Sequence, residues 1–332
     1  MSPQLKQCST GPLTLECGHS IPKLVQSYAL AGRPARDGEG VVVILPSLTS
    51  APDPTRWWPG IVGPGRAVDT HRYTVLCPAL LGSPYGTGPL PPGAWVTPRD
   101  MARAALQLIL ELGLDRPHLV TGGSVGGMVA LEWAATDPEG PRSVVSMAAP
   151  AVQPAMSIGH NHVQREAIRL GGPRGLAVAR MAAMLTYRTP RELSARFGRD
   201  EHPEHGFQLR SYLEHQGQKL TNHFDPGSYL TLLDAMDAHD VGRGRGGVTR
   251  ALAAFRGELV GVGIRGDILY PPSDIKEWVR QTNAQYREFT STRGHDGFLL
   301  EEEAVSQILV EALGTTQHTP TMSTETTAGG AR

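Results

Sequence analysis

Five short apolar runs punctuate the chain: "VVVILPSL" (41–48), "YTVLCPAL" (73–80), "PHLVTGG" (117–123), "SVVSMAAP" (143–150) and "LVGVGI" (259–264). Each is continuous rather than alternating, which predicts strands covered on both faces, as in a parallel sheet. Helical periods fall between them. Thr97 is placed to cap a helix that opens at Pro98, runs through "MARAALQLILELG" and stops at Gly113. "EEEAVSQILVEALG" (301–314) reads the same way, with acidic side chains in its first turn. Strands alternating with helices predict an α/β doubly wound architecture. Between about residues 151 and 247 the pattern turns helical throughout, as in "PRGLAVARMAAMLTY" and "SYLTLLDAMDAHD". Such an insertion reads as a lid over the carboxyl ends of the strands, where these sheets bind ligands.

The expected organisation is an N-terminal extension (1–39), a core in two pieces (40–150 and 248–314), the lid (151–247) and a tail (315–332). The tail is Thr-rich and holds too little apolar surface to order itself. Hydrophobic residues are 40% and charged residues 19% of 332, with net charge -1. That is an ordinary soluble composition, with no electrostatic footprint for nucleic acid or an anionic membrane. Cys8, Cys17 and Cys77 form no CxxC pair, and no apolar run approaches the roughly 18 residues of a membrane span. A cytoplasmic protein is expected.

At the junction "TGGSVGG" (121–127) four glycines crowd around Ser124 where a strand gives way to a helix. Gly122 to Gly126 fit G-x-S-x-G, the turn that lifts a nucleophilic serine above a sheet and aims the N–H of Val125 at a developing oxyanion. A phosphate loop would need a following Lys-Ser/Thr pair, which is missing. A serine hydroxyl needs a base, and partners in the order Ser, Asp, His do follow. Asp267 stands after a strand in "VGIRGDILYPP", and His295 stands in the loop "TRGHDGFLLEEE". Other histidines, His160 and His162 in "GHNHVQ" and His202 and His205 in "EHPEH", lack metal-ligand spacing, so no metal is expected. "VGRGRGG" (241–247) reads as a loop leaving the lid. An esterase would carry the same three residues, whereas a non-catalytic binding protein would have no use for all of them.

Taken together, "WWPGIVGPGRAVDTHRYTVLCPALLGSPYGTGP", "GGSVGGMVALEWA", "SYLEHQGQKL", "HDVGRGRGGV" and "GHDGFLLE" resemble the homoserine O-acetyltransferases, in order and spacing from about Gly40 to Gly314. The resemblance implies an α/β-hydrolase fold, a mostly parallel doubly wound sheet with an inserted helical lid. It implies ping-pong acetyl transfer from acetyl-CoA to the hydroxyl of an amino acid, with no cofactor beyond that donor, and a homodimer through the lid. Ser124 would be the nucleophile, His295 the base and acid, and Asp267 its orienting partner. Leu48 in "LPSLTS" would supply the second oxyanion N–H beside Val125. Arg180 and Tyr187, seven residues apart, would hold the acceptor, and Asp296 would take its ammonium group. Two departures stand out: Val125 replaces the family's usual methionine, and the loop "PLPPGAW" (89–95) is shorter than the family's. L-serine or a related hydroxy amino acid is therefore the alternative acceptor to L-homoserine, since one methylene is worth only about 1–3 kcal/mol in a pocket.

Overall fold

The computed structural model of the chain describes residues 5–32, 40–88, 90 and 92–314; the Thr-rich tail lies outside them. Eight strands form one sheet: β1 (Lys6–Thr10), β2 (Leu24–Gly32), β3 (Gly40–Leu45), β4 (Tyr73–Pro78), β5 (Pro117–Gly123), β6 (Ser143–Met147), β7 (Glu258–Arg265) and β8 (Gln285–Thr290). Their order is β1-β2-β4-β3-β5-β6-β7-β8. Pairing is antiparallel from β1 to β4 and parallel across the rest.

The continuous apolar runs have the expected cause. Along β3, Val41, Val43 and Leu45 join one apolar core, while Val42 and Ile44 join the other. Burying both faces uses every side chain of the strand, so no polar alternation survives. Helices α1 (Pro98–Glu111) and α2 (Val125–Thr136) cover one face. The lid follows as α3 (Ala155–Gly171), α4 (Pro173–Tyr187), α5 (Pro190–Phe197), α6 (Gln208–Thr221) and α7 (Pro226–Asp237). After β7 come α8 (Pro272–Arg280) and, on the second face, α9 (Glu302–Leu313). Thr97 caps α1 in a reciprocal box with Asp100, an arrangement that adds about 1 kcal/mol.

Residues 5–32 are not an extension outside the core, contrary to the expected boundary at residue 39. They contribute β1 and β2 to the sheet, and Leu13, Leu15 and Leu24 are buried in the core. Buried Gln26 donates to the Ala104 carbonyl of α1 at 2.8 Å and to Thr10 Oγ1 at 3.2 Å. Glu16 accepts from Arg99 at 2.7 Å and from Arg243 at 2.7 Å. Arg245 and Arg99 both pair with buried Glu132 of α2, at 2.5 and 3.0 Å. The "VGRGRGG" loop thus leaves the lid as a clamp onto the core.

The lid departs and returns at one place. Val152 and Asp240 form an isolated antiparallel bridge, flanked by Gln153 N–H to His239 O and Val241 N–H to Ala151 O, both 3.0 Å. Among the described residues no helix is long and apolar enough to cross a membrane.

Candidate active site

Ser124 sits between the last residue of β5 and the first of α2 at φ 58° and ψ −126°, a strained conformation for a residue with a side chain. Its N–H donates to Met147 O at 3.0 Å, which ties the turn to the end of β6. The neighbouring glycines answer a different demand. A Cβ on Gly122 would lie 2.7 Å from the Gly126 carbonyl carbon, and one on Gly126 would lie 2.4 Å from Leu45 O. The strand–helix turn presses against the end of β3, and only hydrogen fits there. The strain is carried by the serine itself, not by its neighbours.

Val125 opens α2, so its N–H is among those without an intrahelical partner, directly behind Ser124. Asp267 is held in the turn after β7, where its Oδ1 accepts from the N–H groups of Leu269 (2.8 Å) and Tyr270 (3.0 Å). Its Oδ2 lies 2.7 Å from Nδ1 of His295, in the loop after β8. Both side chains are buried. Burial opposes the charged imidazole, but Asp267 and then Asp296 outweigh it, so the His295 pKa lies above the ordinary histidine value. Nε2 of His295 is buried without a hydrogen-bond partner.

One cavity gathers Leu48, Ser124, Arg180, Tyr187, His295 and Asp296. Val125 and Asp267 stand behind its wall, so all eight predicted residues converge on one place. α4 is continuous, so Arg180 and Tyr187 share a face, the guanidinium 5.3 Å from the ring centroid. Among the described residues no carboxylate pairs with Arg180. Asp296 is paired: Arg188 Nη2 lies 3.1 Å from its Oδ2. Burial raises the Asp296 pKa, and Arg188, His295 and Arg180 pull it back in that order. A carboxylate and a guanidinium that no described carboxylate pairs with thus face one small space beside a serine and a histidine.

Several residues of this site carried no signal in the sequence. The Tyr229 hydroxyl on α7 donates to Gln164 Oε1 on α3 at 2.7 Å. Burial raises the pKa of Tyr187, so the phenol stays neutral. Phe298 packs edge-on against the His295 ring. A second pocket, sharing Thr49 and Arg180 with the first, is lined by Gln216, Lys219 and His223 of the lid. Periodicity could have placed none of the lid residues among these, because they meet only when four lid helices pack. Among the described residues no three His, Cys, Asp or Glu side chains gather to hold a metal. His205 instead lies 2.5 Å from Glu214.

A strained serine between a strand and a helix, with its aspartate and histidine on later loops at the carboxyl edge of a mostly parallel sheet, defines an α/β-hydrolase fold. The α/β-hydrolase fold family matches residues 40–179. The homoserine O-acetyltransferase of Clavibacter michiganensis subsp. michiganensis is 40% identical, over 92% of both chains. The crystal structure of homoserine O-acetyltransferase from Staphylococcus aureus superposes with a TM-score of 0.81 at 30% identity, covering 95% of this chain and 96% of that one. An acetylester hydrolase from Corynebacterium glutamicum matches with a TM-score of 0.82 at 19% identity, covering 94% and 96%, which shows a shared fold alone. The chain belongs to the homoserine O-acetyltransferase family.

Proposed function

We propose that the protein transfers an acetyl group from acetyl-CoA to the side-chain hydroxyl of L-homoserine through an acetyl-Ser124 intermediate. The observation that carries this reading is the pairing of opposite charges in the cavity: Arg180 without a carboxylate partner, and Asp296, beside Ser124 and His295. An amino-acid zwitterion matches that pair, whereas a simple ester has no use for either charge. Arg180 takes the carboxylate through two parallel charge-assisted hydrogen bonds.

His295 Nε2 removes the Ser124 proton as Oγ attacks the thioester carbonyl, and Asp267 holds Nδ1–H so that the correct nitrogen faces the serine. The N–H groups of Val125 and Leu48 receive the oxyanion. The proton on His295 leaves with the CoA thiol. The acceptor hydroxyl then gives its proton to His295 and attacks the acyl-serine, and collapse returns that proton to Ser124. No metal or further cofactor takes part. The basic pocket with Lys219 and His223 adjoins the cavity and suits the phosphates of the donor. The lid excludes water, and oriented reactants can reach effective molarities of about 10⁵ M or more, which favours transfer over hydrolysis. We place the protein in the cytoplasm as a homodimer through the lid, without nucleic-acid or membrane partners.

The test is an acceptor panel with acetyl-CoA, reading released thiol, O-acetyl amino acid and free acetate. Product with L-homoserine at saturating acceptor, well above acetate, is the expected result. Product with L-serine instead moves the acceptor assignment by one methylene. Acetate dominating with every amino acid makes the protein an esterase and sinks the proposal.

A further inference from the structure

Asp296 already has a cation beside it, and that cation comes from the lid. Arg188 follows the last residue of α4 and spreads its guanidinium between two carboxylates. Nη2 lies 3.1 Å from Asp296, and Nη1 lies 3.2 and 3.5 Å from the two oxygens of Glu192 on α5. All three side chains are largely buried, and Nε of Arg188 is buried with no partner. The surroundings fix Glu192 more firmly than Asp296. Arg293 also reaches Glu192, at 3.3 Å, and the Glu192 N–H donates to Thr189 Oγ1 at 3.0 Å. Thr189 in turn donates to Thr292 O at 2.6 Å, which stitches the α4–α5 junction to the loop that carries His295.

We infer that Arg188 is a positioning residue of the acceptor subsite: its guanidinium stands in for the acceptor's ammonium group at Asp296 and withdraws onto Glu192 when the acceptor arrives. The inference rests on the acceptor assignment proposed above. Its physical basis is that a buried carboxylate without a cation neutralises by taking up a proton, and a protonated Asp296 no longer attracts an ammonium group. The groups facing Asp296 are His295 on its own loop, Arg180 and the Tyr187 hydroxyl on α4, and Arg188 and Glu192 at the α4–α5 junction. Among the cations, Arg188 offsets the burial of Asp296 most. Glu192 gives the displaced guanidinium a second carboxylate within reach, so exchange leaves no charge unpaired. An acceptor lacking an ammonium group offers no replacement, which gives the subsite a reason to select free amino acids.

The test uses Arg188→Met and Arg188→Lys in the full chain, with folding checked by circular dichroism. In carbon-detected NMR, with Asp296→Asn giving the assignment, the Asp296 carboxyl should titrate at higher pH in Arg188→Met than in the parent. Arg188→Lys should restore it. The acid limb of kcat/KM for the acceptor should move up by the same amount. A shift of one unit lowers the ionised fraction on that limb about tenfold. An unmoved Asp296 titration, or a limb that shifts equally in Arg188→Lys, overturns the inference. Failure of the parent enzyme to acetylate any amino acid would instead defeat the functional reading, and the NMR titration would still report on Arg188.

Discussion

Asp267 Oδ2 and His295 Nδ1 lie 2.7 Å apart in a buried pair, and the other nitrogen of the ring, Nε2, has no partner. One side of the imidazole is therefore fixed while the other is left for a proton that arrives only during the reaction. Catalytic hydrogen bonds are often loose before substrate binds, so an unpaired Nε2 beside Ser124 suits a base at rest. The burst of Ser124 acylation should fall on the acid side with an apparent pKa above about 6.5, because neutral His295 is required and its pKa is raised. Stability runs the other way: the charged pair stabilises the fold below the ordinary histidine pKa, and that contribution fades as pH rises through the folded value. Asp267→Asn should slow acylation by roughly 10⁴-fold, as loss of the orienting carboxylate does in serine proteases. Rapid-quench mass spectrometry measures both, and a near-normal burst in Asp267→Asn would remove Asp267 from the mechanism.

Arg180→Ala should raise the acceptor KM strongly while Ser124 still acylates from acetyl-CoA. Truncating one partner of a desolvated charge pair costs roughly 2–5 kcal/mol. Steady-state kinetics in both substrates separates the outcomes. Slow acylation with normal acceptor use would assign Arg180 to the donor through the pocket it shares with Lys219 and His223.

His239 gives a prediction about stability. It is buried beneath the returning end of the lid, with Nε2 3.0 Å from Pro150 O. Burial, with Arg243 and Arg99 adding to it, lowers its pKa to about 3. The unfolded chain therefore binds a proton that the folded chain refuses, and stability falls as pH drops from about 6.5 toward about 3. His239→Gln can still donate to Pro150 O but does not titrate. Its unfolding free energy should lose less over that window, by about 1.4 kcal/mol per pH unit at most. Denaturant titrations at several pH values check this, and parallel slopes would refute it.

The lid surface predicts the oligomer. Met156, Val163 and Leu170 are exposed at seven-residue steps along α3, as are Val178 and Leu185 along α4. Side chains seven apart share a helix face, so the packed pair presents two apolar stripes. Leu170→Glu combined with Val163→Glu should convert a dimer to a monomer in light scattering. A parent that is monomeric at micromolar concentration would end the proposal.

The interior of the fold was legible because burial on both faces leaves a run of apolar residues. Its margins were not. β8 reads "QYREFT" and is only half-buried, and β1 keeps polar residues on its open side, so neither differs from loop by composition. For the same reason residues 1–39 read as an extension, whereas Gln26 and Glu16 bond into α1 and the lid loop. At the site, Ser124, Asp267 and His295 announced themselves through a turn with a strict steric demand and a fixed chain order. Arg188 did not, although it follows Tyr187 directly, because its partner is 108 residues away and no local spacing encodes that meeting.

The bridge between Val152 and Asp240 makes the helical insertion a closed cassette. Its two ends meet within one pair of residues, so the helices between them can lengthen, shorten or repack without disturbing the register of β6 against β7. The triad hangs on the sheet, and the cassette brings Arg180 and Tyr187 over it, facing Asp296 of the loop after β8. One wall of the cavity can therefore be rebuilt within a single contiguous stretch of the gene, while Ser124, Asp267 and His295 stay where they are.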